Sequence, residues 1–311
     1  MKHRRVVVLG GSGFVGRHVV SRLVDQDCEV VIPTRRRERG KQLAMLPRVE
    51  VYELDVRDVA AVGAVTRDAD AVINLVGILN ESRGISFDDA HVKVTEAAIH
   101  ACRANGIARF VQMSALNVEP AAPSAYLRTK ALAEARVAAS GLAWSIFQPS
   151  VIFGPEDRFL NLFARLAGIF PLIFLAGANA RFQPVYVGDV AAAITTALDD
   201  DRCCNARFAL CGPNVYTLRE LVAYAAQMTG RRPLIVGLPN ALAQIQAWLL
   251  ERLPGEKLLT RDNLASMRVD SVCDEPWPAV FGSPSAIEDM APRYMRPAQA
   301  DPIALIRQRH R

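Results

Sequence analysis

Few folds are open to a chain whose first buried-looking strand runs straight into glycines. Val6-Val7-Val8-Leu9 is an unbroken aliphatic stretch, the pattern of a strand covered on both faces. Gly10-Gly11-Ser12-Gly13-Phe14-Val15-Gly16 follows at once, and Val15, Val19, Val20 and Leu23 then mark one face of a helix. In such a loop the first glycine permits the tight turn. The second lets the backbone approach a pyrophosphate, and the third lets the helix pack closely on the strand. The helix start adds free N–H groups and a dipole that favours phosphate. A glycine pattern alone is weak, but here the strand, the helix and the next strand all stand where a dinucleotide site needs them. Gly10, Ser12, Gly13, Phe14, Val15 and Gly16 are therefore candidate cofactor-binding residues.

The same alternation continues. Cys28 to Ile32, Val49 to Leu54, Ala71 to Val76, Phe110 to Ser114 and Ala143 to Gln148 read as strands. Ser86 to Asn105, stopped by Gly106, and Pro123 to Ser140 read as helices. This order predicts an α/β fold, a Rossmann-type doubly wound parallel sheet with helices on both faces. The expected nucleotide-binding domain is 1–155, completed by about 183–200, with a smaller interleaved C-terminal substrate or partner domain from 156–182 and 201–311. In that second part Phe159 to Phe182 reads as apolar and loop-like. Val187 to Leu198, Leu218 to Met228 and Ala241 to Leu253 read as helices, Leu234 to Val236 as a strand, and the tail after Asp270 is proline-rich. The Ala241 to Leu253 helix is amphipathic, through Leu242, Ile245, Trp248 and Leu249, a pattern found more often in cores than on membranes.

Composition narrows the function classes. Hydrophobic residues are 51% of the 311 and charged residues 22%, which excludes a mainly disordered chain. The net charge of +5 gathers in Lys2 to Arg5, Arg35 to Lys41 and Arg307 to Arg311; the terminal clusters read as solvated tails, and no nucleic-acid partner is expected. The six cysteines form no Cys-x-x-Cys pair and the five histidines show no ligand spacing. Neither a metal nor a disulfide framework is expected, and reduced thiols in the cytoplasm fit best. No leader is expected before Val6. The longest apolar stretch, Leu166 to Ala180, contains Pro171 and is too short to span a bilayer, leaving at most peripheral membrane contact.

Cofactor choice is read at the end of the second strand, where an NAD site usually places a carboxylate for the ribose diol. Ile32-Pro33-Thr34-Arg35-Arg36-Arg37 has none. A guanidinium suits a 2′-phosphate, so NADP(H) is expected over NAD(H), with Arg35 the chief contact and Thr34 and Arg36 beside it. The alternative leaves Arg36 and Arg37 as solvated charges. Asp55-Val56 would lie by the adenine, or Asp55 would cap a helix. Leu75, Val76 and Gly77 end the fourth strand where the backbone nears the cofactor.

Tyr126 and Lys130 stand four apart on an expected helix, and Ser114 ends the strand before it, at the edge where such sheets bind ligands. Together they are the parts of a carbonyl reductase site. The Lys130 ammonium is expected to lower the Tyr126 phenol pKa and to hold the nicotinamide ribose. Tyr126 would move the proton and Ser114 would orient the substrate oxygen.

With these motifs and Phe182-Gln183-Pro184-Val185-Tyr186-Val187-Gly188-Asp189-Val190, the chain resembles the short-chain dehydrogenase/reductase superfamily in its extended or atypical branch. Three finer runs are similar to the NADPH-binding accessory subunits of respiratory complex I and their bacterial stand-alone relatives. These are Ser114-Ala115-Leu116-Asn117, Tyr126-Leu127-Arg128-Thr129-Lys130-Ala131, and Pro149-Ser150-Val151-Ile152-Phe153-Gly154-Pro155-Glu156-Asp157-Arg158-Phe159. The likeness reaches to about residue 270. It implies a Rossmann fold holding NADPH, with Pro149, Val151 and Ile152 along the cofactor. It implies either an oxidoreductase acting on a hydrophobic carbonyl or quinone-pathway compound, or a non-catalytic accessory or assembly factor with a respiratory or quinone-pathway protein partner. The place implied is the cytoplasm or the periphery of the inner membrane. Some relatives carry nucleotide-sugar epimerase labels, but the stretch from Ser114 to Tyr126 is short and lacks the Tyr-Gly of those enzymes.

Overall fold

The computed structural model describes residues 3–295 apart from 83, 254 and 256; the Arg307 to Arg311 cluster lies outside the described residues. The aliphatic runs form strands and the 3.6-period runs form the helices between them. In chain order these are β1 (Arg5–Leu9), α1 (Phe14–Asp25), β2 (Glu29–Thr34), β3 (Val49–Glu53), α2 (Val59–Val65), β4 (Ala71–Asn74), α3 (Val94–Ala104), β5 (Arg109–Met113), α4 (Ala125–Ala138) and β6 (Ala143–Pro149). Further on come α5 (Leu160–Ile169), β7 (Leu172–Leu175), α6 (Val187–Asp199), β8 (Ala206–Leu210), α7 (Leu218–Met228), β9 (Leu234–Gly237), α8 (Asn240–Leu250) and α9 (Arg261–Ser266).

Seven parallel strands make the central sheet, in the order β8-β6-β5-β4-β1-β2-β3. The chain reverses its direction of winding between β1 and β4, so a crevice opens at their carboxyl ends, where such sheets bind ligands. Alternate residues of β1 serve opposite layers, as strand geometry requires. Val6 and Val8 pack with Val19, Leu23, Val190 and Ile194 on one face, while Val7 and Leu9 pack with Val94, Ala98 and Phe110 on the other. Smaller clusters around Leu160, Leu221 and Ile287, and around Ile173, Leu218 and Val222, join α5, α7 and β7 over the crevice edge.

Several sequence expectations are corrected. The stretch from Phe159 to Phe182 is not loop-like but forms α5 and β7, because one side of it buries Leu160, Ala164 and Ala167. The helix expected from Ser86 begins with a wide π turn over Asp88–Lys93 and becomes α-helical only at Val94. The edge strand β8 lacks the aliphatic run that marks the inner strands. The cysteines are not all reduced, since Cys211 and Cys273 are disulfide-bonded across 62 residues. Cys211 follows β8 at the sheet edge, and the Ser271 to Cys273 stretch is drawn alongside Gln183, whose side-chain oxygen accepts from the Cys273 N–H. Among the described residues no helix is long and apolar enough to cross a membrane.

Candidate functional site

The glycine loop turns at Gly10, whose φ of +80° is open to glycine. A Cβ on Gly16 would stand 2.3 Å from the Gly10 carbonyl oxygen, so the first turn of α1 lies against the loop only because that position has no side chain. Gly13 caps α1 without a side-chain bond, and no acidic residue occupies the first turn. Its N–H groups face the crevice unopposed by negative charge, which fits a pyrophosphate. Phe14 and Val15 are half-buried at the helix start, with the Phe14 ring against Gly154.

At the end of β2, Ser12 Oγ lies 3.3 Å from Thr34 Oγ1, and the buried Thr34 hydroxyl donates to the Arg36 carbonyl. Arg35 and Arg36 are exposed beside it. Glu53 is the register neighbour of Thr34, and its carboxylate already accepts from the Arg37 backbone N–H at 3.1 Å. Asp55 does not cap a helix: Asp58 caps α2, accepting from Ala60 and Ala61. Asp55 grips the Arg57 guanidinium, which holds its carboxyl below the usual range, and Val56 is buried in the core. Leu75 and Val76 press against Gly10, and Gly77 is exposed above Lys130. Pro149 ends β6 and accepts from Leu116, while Val151 and Ile152 pair with Val185. The run after Ile152 closes the far side of the loop, where Arg17 Nη1 meets the Glu156 carboxylate oxygens at 3.0 and 3.3 Å. The buried Asp157 carboxylate ties that run together, accepting from Gly154, Phe159 and Asn161.

Tyr126 and Lys130 lie on one side of α4, whose start is held twice. Ser124 accepts from the Leu127 N–H at 3.2 Å, and the Asp262 carboxylate of α9 accepts from Ala125 and Tyr126 at 2.7 and 3.2 Å. Lys130 is buried, and its ammonium donates to the Met113 carbonyl at 3.0 Å, next to Gly77. Burial brings it down to about 8, with Glu134 pulling the other way. Ser114 follows Met113. Its N–H donates to Phe147, and its buried hydroxyl has no hydrogen-bond partner among the described residues. The expected lowering of the Tyr126 phenol is corrected: burial pushes it up to about 12, and Lys130 is turned to Met113 instead.

Sequence reasoning missed the groups that hold this set in place. The Tyr126 ring packs edge-on against Phe87 and His91, at centroid distances of 5.9 and 5.4 Å. Burial, with Lys130 nearby, brings His91 down to about 3, so the ring is neutral; Nε2 accepts from the Ile78 N–H and Nδ1 faces Thr129 Oγ1 at 2.9 Å. A strap from Lys257 to Ser271 crosses the carboxyl ends of three strands. Asn80 donates to the Lys257 carbonyl, Asn263 to Leu79, Asn117 to Asp270 and Ser150 to Ser271. These partners stand 121–184 residues apart in sequence, so no local pattern signals them. The unpaired Ser114 hydroxyl, the side-chain-free cradle at Gly16 and the open start of α1 all fit a bound dinucleotide with a ligand oxygen beside it.

Comparison with known proteins agrees with this geometry. Residues 10–159 match the NAD(P)H-binding family. The chain is 34% identical over 285 residues to the NADH dehydrogenase [ubiquinone] 1 alpha subcomplex subunit 9 of Arabidopsis thaliana mitochondria, covering 86% of this chain and 70% of that one. It is 27% identical over 249 residues to a ceramide reductase of Caulobacter vibrioides, covering 78% of each. An Escherichia coli NADPH-dependent quinone oxidoreductase, solved with NADPH, shares the fold at a TM-score of 0.73 and 17% identity, covering 91% of this chain and 97% of that one.

Proposed function

The chain belongs to the NAD(P)H-binding family, and we propose that it is an NADP(H)-dependent reductase of a hydrophobic carbonyl or quinone-like compound. One observation carries this reading: the Ser114 hydroxyl is buried without a partner, beside the strand end that Lys130 touches. A site that only holds a dinucleotide needs Lys130 for the ribose. It has no need of a desolvated hydroxyl on the substrate side, which costs about 1–3 kcal/mol when left unpaired. A substrate carbonyl oxygen would satisfy it.

The bound dinucleotide supplies a hydride. Ser114 donates to the substrate oxygen and fixes its direction. Tyr126, with its phenol near 12, is fully protonated at neutral pH and gives that oxygen its proton. The raised value keeps the phenol in the protonated form that a proton donor needs. Lys130, near 8, is mostly ammonium at pH 7 and serves the ribose hydroxyls. Arg35, with Thr34 and Arg36, meets the 2′-phosphate, while the smaller unit supplies the substrate or partner side of the crevice through the described strap from Lys257 to Ser271.

The test is NADPH oxidation with hydrophobic ketones and quinones. Tyr126→Phe is expected to lower turnover by about 10²–10⁴ with NADPH affinity retained. Wild-type inactivity across a broad panel would favour the second reading, a non-catalytic NADPH-binding accessory subunit, which the 34% identity to the plant subunit supports.

A further inference from the structure

Outside the central sheet the molecule carries an apolar face built from three elements. β7 and β9 pair in parallel, with Leu172 opposite Leu234 and Phe174 opposite Val236. Their other residues, Ile173, Leu175 and Ile235, turn into the core. The four outward side chains are exposed, Leu234 by 66% and Phe174 by 53%. Ile169 and Phe170, at the end of α5, extend the face on one side. On the other, Gln246 of α8 donates to the Phe174 carbonyl, and α8 buries only Ala243 and Ala247, leaving Leu242, Ile245, Trp248 and Leu249 exposed. Monomers rarely keep so many large apolar side chains together in water.

Its charge has one sign. Between Phe159 and Ala180, and between Leu221 and Leu250, the chain has no Asp or Glu. Arg165 lies one turn before Ile169, and Arg231 and Arg232 precede Leu234; among the described residues none of the three has a carboxylate partner. Arg252 stacks on the Trp248 ring at 3.5 Å. An apolar face with tryptophan and a cationic rim complements an anionic bilayer surface. A second copy docked face to face would instead set arginine rim against arginine rim.

We propose that this face, formed by Ile169, Leu172, Phe174, Leu234, Ile245 and Trp248 with Arg165, Arg231 and Arg232 at its rim, docks the protein on an anionic membrane surface. The proposal is independent of whether the crevice turns over substrate.

The experiment is sedimentation of the full chain with vesicles of equal parts phosphatidylcholine and phosphatidylglycerol, and with phosphatidylcholine alone. Binding is expected only to the first, weakening as salt is raised. Arg231→Glu with Arg232→Glu is expected to weaken it at least about tenfold, since each charge near such a surface is worth roughly a factor of five. Both positions are exposed, and unchanged circular dichroism and NADPH affinity would show that the variant is folded. Ile245→Glu with Leu249→Glu should abolish binding. No binding to anionic vesicles, equal binding to both kinds, or a wild-type dimer lost in the Ile245/Leu249 variant would overturn the proposal.

Discussion

Replacing Lys130 by methionine is expected to stabilise the cofactor-free protein while weakening its hold on NADP(H). The ammonium is buried, and its drop from 10.5 to about 8 corresponds to about 3 kcal/mol withheld from the folded state at neutral pH. Methionine fills similar space without a charge. Against that gain stands the lost hydrogen bond to the Met113 carbonyl, about 1–2 kcal/mol. The net expectation is about 1–2 kcal/mol of added stability, or several degrees in Tm. The sign with pH follows from the depressed value. Between pH 8 and 10.5 the unfolded chain holds more protons than the folded one, so wild-type stability rises across that window. Below pH 8 the penalty is complete and constant. The variant lacks this rise. Urea unfolding at a series of pH values, without cofactor, measures both effects. A variant less stable than wild type at pH 7, or one that keeps the alkaline rise, would refute the reasoning.

Two further outcomes are expected. Arg35→Asp should cost NADPH about 1.5 kcal/mol of binding, roughly tenfold for an exposed charged contact, with NADH little changed, as read by calorimetry with each cofactor. Asp262→Ala should cost about 1–2 kcal/mol of stability by unpairing the start of α4, and should lower kcat more than KM because Tyr126 sits in that first turn.

The parts of the fold legible in sequence are those set by local rules. The glycine loop, the buried strands β1, β2, β4, β5 and β6, and the Tyr126/Lys130 spacing each follow from periodicity or from a residue type with one use. β8 escaped because Ala206 to Leu210 is a half-exposed edge strand containing Arg207, without the aliphatic run of the inner strands. α5 and β7 escaped because their apolar residues run together across Gly168 and Pro171, which hides the change of period. The Cys211–Cys273 bond and the Asp262 cap depend on tertiary approach alone. The direction of the Tyr126 shift is not legible for a related reason: spacing shows that two side chains share a helix face, but not that the ammonium donates to the Met113 carbonyl.

The two halves of the site rest on different parts of the chain. On the proposed reading, the phosphate cradle is Gly10 to Gly16 with the end of β2, and the geometry of that stretch depends on backbone and local packing. The Ser114, Tyr126 and Lys130 half depends on contacts from far along the chain, with Asp262 on the start of α4 and the strap on the loops after β4, β5 and β6. Change in the strap can therefore alter what reaches Ser114 and Tyr126 while the cradle is preserved. On the proposed reading, such a separation would let one cofactor fold carry different functions, as among relatives of this chain that include a respiratory-complex subunit and a ceramide reductase.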